Sequence, residues 1–488
     1  MKNKKLLFAS LFIISILFIN RTYAQHKLYG MTFLGGTNDD GVLFEYDPVT
    51  STYTKKLDFD SASSSIGGCP GGSLMQASNN KLYGMAALGG TNGGNAGVLF
   101  EYNSDTDTYT KKFDFDSIDA QGCCPSGCIP VGSLIQALNN KLYGMTTYGG
   151  TNGYGVLFEY DITNNTYTKK LDFDSINTGA YSYGNLMQAS NGKLYGMTTY
   201  GGANDDGVLF EYDITNNIFT KKLDFVENNT GSWPNGSLIQ VNGKLYGMTY
   251  AGGANGVGVL FEYDPNTNTY IKKFDFDYTN TGDFPEGSLL QASNNKLYGM
   301  TTQGGTNNDG VLFEYDLGTD TYTKKLDFDS ASTGKYPRGS LMQTPDGKLY
   351  GMTTQGGTNN NGTFFKYDIT TNTYTKILNF DGTNGRNPQF TALIEVDTGS
   401  SIQNLFANNE IKVYPNPGKD KINVIFNSDN KQETYFEIFS LSGNKIVSYK
   451  LKQGKNIFSA KNLSQGIYSY KIIVNKNTIA SDKLVIIK

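Results

Sequence analysis

A segment reading Lys-Leu-Tyr-Gly-Met, then Gly-Gly, Gly-Val-Leu-Phe-Glu-Tyr-Asp, Tyr-Thr-Lys-Lys and Gly-Ser-Leu recurs seven times with small variations. Its copies open at Lys27, Lys81, Lys141, Lys193, Lys244, Lys296 and Lys348. The openings are 54, 60, 52, 51, 52 and 52 residues apart, a period that suits a four-stranded propeller blade and exceeds a leucine-rich or hexapeptide repeat. Each copy supplies four runs of strand length; in the sixth they are residues 296–302, 311–316, 321–328 and 340–344. Asn79-Asn80, Asn191-Gly192 and Asn242-Gly243 stand between the Gly-Ser-Leu run and the next Lys-Leu-Tyr-Gly-Met. These residues tolerate the positive φ of a two-residue hairpin turn. The expected blade therefore reads, from the axis outward, Gly-Ser-Leu, Lys-Leu-Tyr-Gly-Met, Val-Leu-Phe-Glu-Tyr-Asp and Tyr-Thr-Lys-Lys. The fold class is all-β, a seven-bladed β-propeller.

The first copy begins directly at Lys-Leu-Tyr-Gly-Met, whereas the last is followed by an extra apolar run at 390–396. That run is expected to become the innermost strand of the first blade, beside 27–32, closing the ring and leaving no open edge around it. The outermost strands carry lysine pairs such as Lys55-Lys56 and Lys324-Lys325, read as solvated edge residues that refuse further strand pairing.

The two ends of the chain differ from the repeats. Lys2, Lys4 and Lys5 precede a 14-residue apolar run at 6–19 and then Thr22-Tyr23-Ala24. This is the pattern of a secretory signal peptide, 1–24, cleaved between Ala24 and Gln25. The propeller is assigned to 25–399, a linker to 400–410 and a second domain to 411–488. That domain holds 13 Lys against 5 Asp plus Glu, a net of +8. With +4 in 1–24 and −4 overall, 25–410 carries −4 − 4 − 8 = −16. After Tyr414-Pro415-Asn416-Pro417, the second domain contains Ser440-Leu441-Ser442-Gly443-Asn444-Lys445 and Leu463-Ser464-Gln465-Gly466-Ile467-Tyr468, and it ends at Lys488. In that order these motifs closely resemble the C-terminal sorting domain of type IX secretion substrates in Bacteroidetes. The resemblance implies an Ig-like β-sandwich read by the type IX machinery, with export across the outer membrane and either release or attachment to the cell surface. The repeats resemble the Gloeo/Verruco tandem-repeat family, whose unit has the same spacing and which no single activity defines.

One histidine, His26, occurs in the whole chain, so Ser-His-Asp and Cys-His relays and histidine-rich zinc sites are excluded. The glutamates Glu45, Glu101, Glu159, Glu211, Glu262 and Glu314 recur at one strand position, with Lys366 in the seventh copy. Such recurrence points to structure rather than catalysis. No cofactor and no metal are expected: the Gly-Gly loops lack a calcium-loop pattern, and Asp39-Asp40 or Asp205-Asp206 offer at most a weak ion site. An acidic propeller disfavours nucleic acid. No membrane-spanning segment is expected once the signal is removed. Cys69, Cys123, Cys124 and Cys128 lie in the loops of the first two repeats of an exported chain, so disulfides are expected, Cys69 joining Cys123 or Cys124 and Cys128 the other.

Variation concentrates in the Gly-Gly loops and in the loops before Gly-Ser-Leu, which emerge on one face of a propeller. That face is the candidate binding surface. At equivalent places its loops carry Tyr181, Trp233, Phe284, Tyr336 and Asn387, then Tyr183, Asn235, Glu286, Arg338 and Gln389. The recurring aromatics read as packing between blades, and the non-recurring neighbours as the better site candidates. Arg338 and Arg386 are the propeller's two arginines. With Trp233, Glu286 and Tyr183 they form the candidate ligand site for an extracellular glycan or protein. Three functions compete: a non-catalytic binding module, a carboxylate-dependent carbohydrate-active enzyme, and a surface structural or adhesive protein without a discrete pocket.

Overall fold

A computed structural model describes residues 26–63, 65–91, 95–115, 124–397, 411–414, 419–426, 433–440, 445–474 and 477–486. The predicted signal segment and its cleavage residues Ala24 and Gln25 lie outside the described residues, as do the whole linker 400–410, Pro415, Asn416, Pro417, Gly443 and Lys488.

The repeats form seven four-stranded antiparallel sheets in sequence order. Blade 4 is typical: Met187–Gln188, Leu194–Thr198, Val208–Asp213 and Ile218–Asp224, from inside to outside. The two middle strands are buried along nearly their whole length, Asp213 at the end being half-buried, so they read as near-continuous apolar runs, while the outer strand opens on an exposed and half-buried alternation. Each hydrophobic cluster draws from two neighbours. Tyr143, Met145, Leu157 and Phe173 of blade 3 pack with Leu186, Leu194, Val208 and Phe210 of blade 4. A blade therefore has no complete core of its own.

The ring closes as expected. Ile394–Asp397 pairs antiparallel with His26–Thr32, matching Leu28 with Glu395 and Tyr29 with Ile394. A second closed circuit runs nearer the axis. Ser73 N donates to Ser133 Oγ at 2.7 Å, Asn185 N to Ser237 Oγ at 3.1 Å, and Ser237 N and Ser288 N to the next serines at 2.8 Å. Ser133 N donates to Asn185 Oδ1, Ser340 N to Thr391 O, and Ala392 N returns to Ser73 Oγ at 2.6 Å. Because these groups bond between blades, the innermost strands shrink: Met342–Gln343 replaces the expected 340–344. The preceding glycines are needed for this approach; a Cβ on Gly72 would lie 2.3 Å from Gly132 O.

The recurring glutamates are structural. Glu159 accepts Lys141 Nζ at 2.6 Å and Tyr143 OH at 2.5 Å, with Lys170 Nζ at 3.7 Å. The lysine pairs are therefore only half edge devices. A β-bulge pairs Leu157 with Leu171 and Phe158 with Lys169, leaving Lys170 as the extra residue. That residue turns inward to the glutamate, its side chain 14% exposed. Blade 7 keeps Lys348 and Tyr350 but changes the other two members together: Lys366 stands for the glutamate and Ile377 takes the bulge.

Among its described residues the C-terminal domain has seven strands in two sheets. Ile411–Tyr414, Lys421–Phe426 and Gly454–Ser459 form one; Lys445–Lys450, Thr434–Phe439, Gly466–Val474 and Asn477–Ile486 form the other. Ile422, Val424, Phe436, Ile438, Ile472 and Leu484 are buried in one cluster between them, which makes it a β-sandwich.

Candidate functional site

The loop leading into each inner strand carries, at an equivalent place, a residue with φ between 52° and 57°: Cys69, Ile129, Tyr181, Trp233, Phe284, Tyr336 and Asn387. Its N–H reaches back to the previous blade's Gly-Gly loop, as in Trp233 N to Asp206 O and Tyr336 N to Asp309 O, both 2.9 Å. The recurrence is thus a backbone stitch between blades, held in a left-handed conformation that non-glycine residues adopt at a cost. Its aromatic side chains also pack, Tyr250 against Phe284 at 4.8 Å and Tyr200 against Trp233 at 5.8 Å.

Above these stitches lies a cavity of about 320 Å³ lined by Tyr183, Thr199, Tyr200, Trp233, Asn235, Tyr250, Glu286, Arg338 and Phe390. The loops leading into blades 4 to 7 and into the closing strand all contribute. The volume is at the lower end of small-molecule sites, about 300–1,000 Å³. Four of the five sequence candidates, Tyr183, Trp233, Glu286 and Arg338, meet here. Arg386 does not: it makes a bidentate pair with Asp39, 2.8 Å from Nε and 2.6 Å from Nη2, across the seam of blades 7 and 1. Phe390 takes the place expected for Gln389. The closing strand's lead-in loop has one more residue between its stitch residue Asn387 and the leucine Leu393 than the loops into blades 6 and 7, and Phe390 absorbs it at φ 57°.

Five aromatic rings wall the cavity, and Trp233 is 38% exposed. Asn235 is oriented by Thr199, whose Oγ1 donates to Asn235 Oδ1 at 2.9 Å. Glu286 is 6% exposed, with Arg338 Nε at 3.6 Å from its Oε2, too long for a hydrogen bond. Burial pushes the Glu286 carboxyl up to about 7, only partly opposed by the Arg338 charge. Burial likewise raises the neighbouring Asp283, outside the lining, to about 6. Asp283 Oδ1, Glu286 Oε2, Thr302 Oγ1, Arg338 Nε and Asn387 Oδ1 are buried without a hydrogen-bond partner in the protein. All belong to blade 6's loops or to the lead-in loops of blade 7 and the closing strand. Buried polar atoms are normally satisfied, so this concentration in one sector marks a departure from sevenfold order.

Tyr200 and Tyr250 were missed by the sequence reading, although a signal existed. The position of Tyr200 reads Leu34, Leu88, Tyr148, Tyr200, Ala251, Gln303 and Gln355 around the ring. Tyr250 stands where four copies have threonine.

The expected disulfides are not formed by Cys69, Cys124 and Cys128, all buried thiols; Cys123 lies outside the described residues. Cys69 occupies the stitch position with its sulfur 4.0 Å from Asp40 Oδ1, whereas Cys128 turns to Cys124 in its own loop, and burial with that contact raises its thiol. The acidic pairs of the Gly-Gly loops are engaged by neighbouring backbone and hydroxyl groups: Asp40 Oδ2 accepts Ser61 N and Oγ at 2.7 Å, Asp205 Gly201 N at 2.9 Å, and Asp206 Glu227 N at 2.9 Å. Among the described residues no cluster of three or more His, Cys, Asp or Glu is placed to hold a metal. No described helix is long and apolar enough to cross a membrane. In the second domain Tyr414 ends the first strand, Gly466 opens a strand, Lys445 Nζ reaches Glu437 Oε1 at 3.1 Å, and Tyr468 OH donates to Ser464 O at 2.8 Å.

The family model described as the Gloeobacter/Verrucomicrobia repeat matches residues 20–186, 124–240, 175–332 and 223–404. The model described as the secretion system C-terminal sorting domain matches 412–488. No curated protein matches the chain in sequence. Among solved structures, a putative 6-phosphogluconolactonase from Bacteroides fragilis is similar in fold, with a TM-score of 0.50 at 13% identity, covering 77% of this chain and 99% of that one. Its counterpart from Bacteroides uniformis gives 0.48 at 14%, covering 72% and 94%. PorZ of Porphyromonas gingivalis, described as an essential surface component of the type-IX secretion system, gives 0.41 at 14%, covering 95% and 58%.

Proposed function

The chain belongs to the Gloeobacter/Verrucomicrobia repeat family and carries a type IX sorting domain that directs it to the cell surface or the extracellular space, and from that premise we propose that its propeller is a non-catalytic glycan-binding module. The amino-terminal segment 1–24 serves as the signal peptide for the first membrane, and 411–488 engages the secretion machinery at the second.

The observation that carries the reading is the composition of the loop-face cavity. Aromatic walls offer flat apolar faces to sugar rings, and a few convergent polar groups fix orientation. A carboxylate-pair glycosidase needs two acidic groups about 5–9.5 Å apart across the scissile bond, and the lining supplies one, Glu286. Glu286 at about 7 has the character of a general acid, which keeps hydrolysis as the competing reading. The test is a glycan array probed with the full chain and with Trp233→Ala and Arg338→Ala variants. Binding by the wild type that both variants lose supports the proposal. Release of reducing ends from a bound glycan favours the enzyme, and binding to no glycan refutes the proposal.

A further inference from the structure

The cavity's polar centre limits what kind of sugar it accepts. Glu286 and Arg338 face one another at 3.6 Å without a hydrogen bond, and each contributes a buried atom that the protein leaves unsatisfied. Each already counters the other's charge. An acidic ligand would set a second carboxylate beside a buried one, and a cationic ligand would crowd Arg338; both are opposed in a poorly solvated site. A neutral pair of hydroxyls fits without that conflict. A hydroxyl both donates and accepts, so one can donate to the carboxylate while its neighbour accepts from the guanidinium. Asn235, its carbonyl held by Thr199, turns its amide into a further donor for the same ligand.

A second observation bears on ligand length. Aromatic rings continue outward from the cavity over blades 3 to 5: Trp233 to Tyr200 at 5.8 Å, Tyr200 to Tyr181 at 6.0 Å and Tyr181 to Tyr148 at 5.2 Å. Tyr148 is 39% exposed, and its hydroxyl lies 3.5 Å from that of Tyr183 in the lining. Such a strip suits a run of sugars rather than a single ring.

We infer that the site takes a neutral oligosaccharide whose vicinal diol bridges Glu286 and Arg338, with the following sugars lying along Trp233, Tyr200 and Tyr148. This rests on the glycan-binding reading above.

Calorimetry of the full chain with neutral gluco-, manno-, galacto- and xylo-oligosaccharides of increasing length, beside oligogalacturonides, tests it. The expected result is binding of at least one neutral series and none of the uronates, weakened at least tenfold in Glu286→Gln and Arg338→Ala while thermal melts show both variants folded. Tyr148→Ala should leave the shortest bound member unchanged and weaken the longer ones several-fold. Preference for uronates, with Glu286→Gln binding them more tightly, would overturn the diol inference and leave the glycan-binding reading intact. Unchanged affinity in a folded Glu286→Gln would also overturn it. A wild type that binds no sugar of either kind defeats both.

Discussion

Replacing Glu286 with glutamine removes a charge that burial opposes, and the consequence for stability has a definite sign. The carboxyl titrates at about 7 in the fold against a usual value of 4.5. Below pH 4.5 it is protonated in both the folded and unfolded chain and contributes nothing to the difference. Between 4.5 and 7 the unfolded chain loses its proton first, so wild-type stability falls as pH rises, and above 7 the full penalty is in place. At ~1.36 kcal/mol for each tenfold displacement, that penalty is about 3 kcal/mol. At ~2.1 cal/mol/K per residue, a propeller of roughly 370 residues has an unfolding entropy near 0.8 kcal/mol/K, so the gain amounts to ~4 °C in the melting midpoint. Glu286→Gln should therefore melt about 4 °C above wild type at pH 8 and level with it at pH 4, followed by circular dichroism. Asp283→Asn should behave similarly, since burial also lifts Asp283, to about 6. An equal shift at both pH values, or a variant less stable than wild type at pH 8, would refute the reasoning, the latter because Arg338 attraction would then outweigh burial. A residue that weakens the fold yet lines the cavity is the pattern expected of a binding group.

Gly72→Ala should destabilise by about 3 kcal/mol or more in urea melts, because its Cβ would lie 2.3 Å from the Gly132 backbone at the axis. Grafting the usual ion set into blade 7 with Lys366→Glu and Ile377→Lys should show a favourable coupling of ~1 kcal/mol in a double-mutant cycle, since Tyr350 and the bulge position already face the site. Arg386→Ala should cost under ~1 kcal/mol despite its bidentate geometry, because Asp39 is 58% exposed. Cys69, raised to about 11 by burial and Asp40, should resist alkylation at pH 8 until the chain is unfolded, as judged by mass spectrometry.

Strand order, blade count, ring closure and the second domain were legible in the sequence because each depends on local alternation and turn chemistry repeated seven times over. Tyr183, Trp233, Glu286 and Arg338 were legible as departures at equivalent loop positions. Tertiary structure decided what local pattern cannot express. Lys170 and its equivalents turn inward because a bulge shifts the register by one residue. Phe390 enters the cavity in place of Gln389 because its loop is one residue longer. Arg386 leaves the site for Asp39, 347 residues away, and Cys128 turns to Cys124 rather than spanning two blades. The bulge and the Cys124–Cys128 contact are settled by side-chain packing within one hairpin or loop, whereas the Arg386–Asp39 pair and the cavity join segments roughly fifty or more residues apart, and it is the closing of the ring, not any single repeat, that brings those segments together.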